Sequence, residues 1–251
     1  RQYDSEIFLL HMLELPLDLI DPAQPHGSGD LPEAIFFMKL AQQRFNKVMK
    51  SDYLRGLKVH ETVEFHEAFD GIMEISKKHD CDMIIMGSSG AEGLKDIFIG
   101  SNTEKVVRHS KIPVLVIKNE IPLFEVKTFV YATDLEPVAK SSFKDAVRFA
   151  NKLNITIELI MVNTAAKFKT SEEIDKKLSQ FTSGIDDEKY RFKVYNDINI
   201  ETGILNYAKK VEADLIGIST HGRQGLAHFI NGSLSGDLVN HAKRPIVTFK
   251  V

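Results

Sequence analysis

The chain has 251 residues, enough for one large domain or two of ordinary size. With 43% hydrophobic and 27% charged residues it has a globular composition, and a net charge of −3 gives no basic field that would draw it to nucleic acid. No apolar run nears the roughly 18 residues that span a bilayer, and the single cysteine excludes an internal disulfide, so a cytoplasmic protein without membrane or nucleic-acid partners is expected.

The elements alternate from the start. EIFLLHML (6–13) is a strand, EAIFFMKLAQQRFNKVM a long helix, KVHETVEF a strand, HEAFDGIMEISKKHD a helix and CDMIIMG a strand. Cys81, opening that last run, reads as a small hydrophobe rather than a catalytic thiol. Next comes GSSGAEGLKDIFIGS (87–101), with four glycines in fifteen residues, then a helix and the strand IPVLVIKN. NEIPLFEV (119–126) reads as the joint between a domain at 1–122 and another at 123–251.

Beyond the joint, KTFVYATD (127–134) is a strand ending in Asp, SSFKDAVRFANKLN a helix and ITIELIMVN (155–163) a strand buried on both faces. A polar segment, 170–187, carries a faint helical pattern; FKVYND is a strand and IETGILNYAKKVEA an amphipathic helix. ADLIGIS is a strand, followed by a second glycine loop, STHGRQGLAHFINGS (219–233), the helix SLSGDLVNHAK and the strand PIVTFKV. Such alternation predicts parallel sheets with right-handed crossovers, an α/β sandwich.

Shifted by 132 positions, residues 81–118 align with 213–250 without a gap, and about a third are identical, Gly90/Gly222, Gly100/Gly232 and Ser101/Ser233 among them. The chain is a tandem duplication. Residues 127–154 of half two, a strand and a helix, have no counterpart ahead of Glu6; a first strand and first helix of half one are therefore expected to be absent from the chain.

Glycine lets backbone N–H groups approach an anion without a Cβ in the way, and the following helix aims its unpaired N–H groups at the same point. A Gly-rich turn between a parallel strand and a helix is accordingly a phosphate cradle, at the carboxyl edge where open α/β sheets bind ligands. Ser101, beside Asn102 and Thr103, stands at the helix start. Neither G-x-x-x-x-G-K-[ST] nor G-x-G-x-x-G occurs. The pattern present is Gly87, Gly90, Gly100 and Ser101, G-x2-G-x9-G-S.

That pattern resembles the adenine-nucleotide motif of the universal stress protein family, and NTEKVVRHSKIPVLVIK, YATD and THGR are similar to the family's other signatures. The resemblance implies two tandem three-layer α/β/α domains, each with an open, mostly parallel five-stranded sheet of the adenine nucleotide alpha-hydrolase-like type. It implies ATP as ligand, with magnesium left open. Asp134 would lie near adenine and ribose, and the strand ends at Met12 and Val162 would meet adenine through the backbone. The phosphates would lie against Gly90, Gly100, Ser101 and Asn102 in half one, and against Gly222, Gly232 and Ser233 in half two; Gly87 and Ser219, at the first position of each pattern, complete the implied nucleotide site. Ser219 replaces the first glycine and is expected to crowd the nucleotide or disfavour the backbone shape, which makes half one the better expected site. The resemblance also implies pairing through the last strands, IPVLVIK with PIVTFKV inside one chain, with a homodimer left open.

Other features read as structural. His60, Glu64 and His66 suit a solvated strand end better than a metal site, and His109 and His241 a role near a helix end. Arg223 beside the phosphates, or in a solvated loop with His221, stays open. Glu92, Asp96 and Glu104 show no catalytic spacing, so a binding protein is expected, with a slow ATPase left open. Two alternatives stand beside it: an interaction scaffold without nucleotide, and a nucleotidyl-transfer or hydrolase relative of the same fold.

Overall fold

The computed structural model describes residues 4–12, 30–64, 67–87, 100–121, 124–220, 238 and 242–251. It divides into two compact units, Arg1–His79 and Asp80–Val251.

The second unit holds a seven-stranded sheet. Its strands are β3 (Ile84–Gly87), β4 (Val114–Ile117), β5 (Phe129–Ala132), β6 (Ile157–Asn163), β7 (Tyr190–Asn196), β8 (Leu215–Thr220) and β9 (Ile246–Lys250), in the order β3-β4-β9-β8-β5-β6-β7. All neighbours are parallel except β4 and β9, which run antiparallel. The five strands of half two are contiguous, with β5 central: the chain steps outward from β5 to β6 and β7, then returns to β8 and β9. The direction reverses between β5 and β8, the kind of switch point at which open α/β sheets bind ligands at their carboxyl ends.

Every residue of β5 is buried, as its unbroken apolar run FVYA demands. Helix α4 (Lys140–Leu153) covers one face with Phe143, Ala146, Val147 and Ala150, and ends at Asn154 in the left-handed conformation, φ 56°. The faintly patterned segment forms helix α5 (Ser171–Thr182), held by a capping box in which Thr170 and Glu173 exchange hydrogen bonds, with Ile174 and Phe181 buried. Helix α6 (Ile200–Lys210) is capped by the Asn199 side chain, which accepts from Thr202 N–H. At Gly203 it approaches β6 so closely that a Cβ would stand 2.5 Å from Val162 Cγ1. The expected helix SLSGDLVNHAK lies outside the described residues apart from the buried Leu238 and Ala242 and the exposed Lys243.

The first unit has two parallel strands, β1 (Glu6–Met12) and β2 (Lys58–Glu64), with helices α1 (Asp30–Met49) and α2 (Ala68–Lys78). Ala41, Phe45 and Ile75 are its buried apolar residues among those described. By the repeat, β1 and β2 correspond to β6 and β7, and β3 and β4 to β8 and β9. In half two β5 joins these two pairs; no counterpart of β5 is among the described residues of half one, whose strands accordingly form one pair in each unit. The joint expected from the sequence at 122/123 falls within the range of the second unit, Asp80–Val251, and itself lies outside the described residues. At the edge of the sheet Ile85 is 65% exposed, whereas the half-two equivalent, Gly217, is buried under Phe129 and Tyr131.

Candidate functional site

In half two, Asp134, Val162 and Ser219 all belong to the carboxyl ends of adjacent strands, β5, β6 and β8. Thr133 N–H extends the ladder by donating to the Ile160 carbonyl at 3.0 Å. The chain then turns sharply: Leu135 N–H donates to Thr133 Oγ1 at 3.0 Å and Glu136 N–H to Asp134 Oδ1 at 3.1 Å. Leu135 takes φ 61°, costly for a branched residue, and its fully buried side chain fixes that conformation. Lys177 of α5 ties the turn down through Glu136 at 2.6 Å. The Asp134 carboxylate is thereby oriented by its own turn.

Val162 lies one residue before the end of β6, opposite Tyr195, with Gly203 against its side chain. Asn163, which the sequence reading passed over, closes the following loop with both ends of its amide: Oδ1 accepts from Lys169 N–H at 3.0 Å and Nδ2 donates to the Lys169 carbonyl at 3.2 Å.

Ser219 is the penultimate residue of β8, opposite Phe249 of β9. Its hydroxyl hydrogen-bonds the fully buried Tyr131, whose own hydroxyl is 3.0 Å from Ser142 Oγ. Ser142 in turn donates to the Ala139 carbonyl at 2.8 Å. The Ser219 side chain is half-buried at the end of β8, with its hydroxyl on the Tyr131 side. Burial raises the Tyr131 pKa far above its ordinary value, keeping the phenol a neutral donor. Gly222, Gly232 and Ser233 lie outside the described residues, as do His221, Arg223 and His241.

In half one, Gly87 ends β3 beside Ile117 of β4, and Gly100 is the N-cap of helix α3 (Ser101–His109). Gly100 supplies no side-chain cap, so the first turn, Ser101, Asn102 and Thr103, presents its N–H groups with no side-chain acceptor from the cap. Ser101 is exposed and Asn102 half-buried. Thr103 is buried, and its hydroxyl donates to the Gly87 carbonyl at 2.9 Å, joining the two ends of the loop. Gly90, Glu92 and Asp96 lie outside the described residues. Met12 ends β1 in the first unit, so the half-one candidates are shared between two units and two sheets.

The groups read as structural have partners of that kind. Glu104 pairs with Arg108 at 2.7 Å on the surface of α3, and His109 Nδ1 lies 2.8 Å from the Lys105 carbonyl in the last turn. His60 meets Glu6 at 3.3 Å and stacks on Phe8; His66 is outside the described residues. Burial, then Asp82 and Asp80, push the Cys81 thiol up, away from the nucleophilic thiolate. Among the described residues no cluster of three or more His, Cys, Asp or Glu could hold a metal, and no helix is long and apolar enough to cross a membrane.

The model of the universal stress protein family matches residues 1–118 and 193–250. A universal stress protein of Methanocaldococcus jannaschii is 29% identical over 118 residues, which cover 47% of this chain and 68% of that one. One from Mycobacterium bovis is 25% identical over 214 residues, covering 77% and 69%. A crystal structure of a universal stress protein from Archaeoglobus fulgidus superposes with a TM-score of 0.75 at 20% identity, covering 98% of this chain and 88% of its own, and so has the same fold.

Proposed function

Since the chain belongs to the universal stress protein family as a tandem member, we propose that it is an ATP-binding regulatory protein of the cytoplasmic stress response, with binding rather than turnover as its output. The phosphates lie against Gly87, Gly90, Gly100, Ser101 and Asn102. One observation carries this reading: the Gly87–Ser101 loop is closed at its neck by the Thr103–Gly87 hydrogen bond, with an uncapped helix N-terminus at its exit. An anion there meets backbone donors already gathered at the carboxyl edge of a parallel strand. Nucleotide shifts the protein between states only so far as its affinity for them differs.

A second site in half two is favoured by the continuity of its sheet, which brings Asp134, Val162 and Ser219 to adjacent strand ends. There Asp134 takes the ribose and adenine end, the backbone near Val162 the adenine edge, and Gly222, Gly232 and Ser233 the phosphates. The antiparallel pairing of β4 with β9 inside the second unit supports a reading in which the two repeats associate through their last strands in the manner of a dimer.

The test is mass spectrometry of small molecules released on denaturing the chain purified without added nucleotide, with ATP–magnesium calorimetry beside it. Adenine nucleotide in near-stoichiometric amount, reduced by Gly90→Val, supports the reading. Absence of released nucleotide together with a flat calorimetric trace overturns it in favour of the interaction scaffold.

A further inference from the structure

A threonine near the start of a helix ordinarily turns its hydroxyl to a carbonyl of its own helix three or four residues back, or leaves it in water. Thr103, third residue of α3, does neither. It is 4% exposed, and its Oγ1 donates at 2.9 Å to the carbonyl of Gly87, 16 residues earlier and on a different element. Gly87 is fixed on its other side by the β3–β4 ladder, where it stands opposite Ile117. Among the described residues, α3 is linked to its N-cap through the backbone bond from Glu104 N–H to the Gly100 carbonyl, 3.1 Å, because Gly100 has no side chain. The hydroxyl of Thr103 thus fastens the beginning of the helix to the end of the strand.

From this geometry, and resting on the nucleotide-binding reading above, we infer that Thr103 is a positioning residue for the phosphate loop. It does not touch the ligand. It holds the first turn of α3 to the end of β3, so that the N–H groups of that turn keep their place relative to Gly87 before an anion arrives. Binding then costs less ordering of the loop, the general origin of affinity from preorganisation. In the repeat register Ser235 stands where Thr103 does, so the sequence keeps a hydroxyl at this position in both halves, although the residue itself has changed.

Thr103→Val keeps shape and volume but removes the donor and leaves the Gly87 carbonyl without that partner; Thr103→Ser keeps the donor. Both are made in the full chain carrying Gly222→Val, which confines phosphate binding to the first loop. Hydrogen exchange without nucleotide is read first. Thr103→Val is expected to speed exchange over residues 88–104 about tenfold and leave β4 unchanged, with Thr103→Ser within about twofold of the parent. Titrations with ATP–magnesium and with adenosine follow: Thr103→Val is expected to weaken ATP about tenfold and adenosine less than about twofold, and Thr103→Ser to restore ATP binding. Unchanged loop exchange in Thr103→Val overturns the inference, as does exchange that rises equally in β4, which marks a merely structural role. A loop that loosens in a parent chain binding no ATP sustains Thr103 as the clasp of the loop and overturns the nucleotide reading instead.

Discussion

Leu115 of β4 and Val247 of β9 stand opposite each other in the antiparallel ladder, and they are equivalent residues of the duplication, 132 positions apart. Their neighbours exchange roles around them: Val114 faces Thr248 and Val116 faces Ile246, where Val116 is the repeat equivalent of Thr248 and Val114 that of Ile246. A register in which i meets j and j meets i has local two-fold symmetry, here about a point between Leu115 and Val247 in the β4–β9 ladder. It also places β9 between β8 and β4, so both edges of the last strand are occupied within the chain.

The two side chains are 4% and 0% exposed, so each truncation leaves a cavity. Leu115→Ala is expected to lower the unfolding free energy by about 2–5 kcal/mol. Combined with Val247→Ala the losses should fail to add by at least about 0.5 kcal/mol, because the residues share one contact. Urea unfolding of the four members of the cycle checks this. Strict additivity would mean that the ladder seen here does not form between them.

How much of this was legible beforehand depended on how local each signal is. The described strands of half two and its helices α4 and α6 were, because β5, β6 and β8 are short apolar runs and the two helices carry clear apolar stripes. Helix α5 was faint because its buried stripe is thin, Ile174 and Phe181 with the part-buried Leu178 between them, yet Thr170-x-x-Glu173 spells the capping box that starts it. The division of half-one strands between two units follows from sheet adjacency, which no window of sequence contains. The partners of Thr103 and Ser219 are likewise distant: the first reaches back to Gly87, and the second meets Tyr131 in another strand.

Gly203 lies inside α6, where alanine would ordinarily stabilise a helix by about 1 kcal/mol. Here the added methyl would come within 2.5 Å of Val162 Cγ1 and 3.1 Å of Asp197 Cβ. Valine is stiff about χ1 and cannot swing clear, so the clash outweighs the propensity. Gly203→Ala is expected to destabilise by about 1–3 kcal/mol in denaturant titrations. By displacing Val162 it should also weaken ATP at the half-two site in a Gly90→Val background; an unchanged affinity would remove Val162 from that site.

Alkaline pH should unfold the protein earlier than ordinary tyrosines would. Burial, then the hydrogen bond to Glu158 and its charge, push Tyr207 up to about 12, and burial also raises Tyr131. Both favour the neutral phenol in the native state. Their contribution is complete below the unfolded value of about 10 and is lost as pH rises from there through the native values, because the unfolded chain gives up its protons first. Thermal melts between about pH 9 and 11 should therefore show a falling midpoint, and Tyr207→Phe should flatten the slope. A slope that persists unchanged in Tyr207→Phe and Tyr131→Phe would assign it to other groups.

Ser219→Gly separates two accounts of the second loop. It returns a glycine to the first position of the pattern, ahead of Gly222, Gly232 and Ser233, so a serine that crowds the nucleotide predicts tighter ATP binding in the variant. The half-buried hydroxyl, however, lies on the Tyr131 side, and a side chain held there would leave the ligand room. Its loss takes one partner from a buried phenol and adds backbone freedom at the end of β8, each costing on the order of 1 kcal/mol. The variant is therefore expected to be less stable by about 1–2 kcal/mol and to bind ATP no more tightly than the parent, both measured with the first loop silenced by Gly90→Val. A gain in affinity would show that Ser219 obstructs the site after all, and that the second loop lost its ligand through that single replacement.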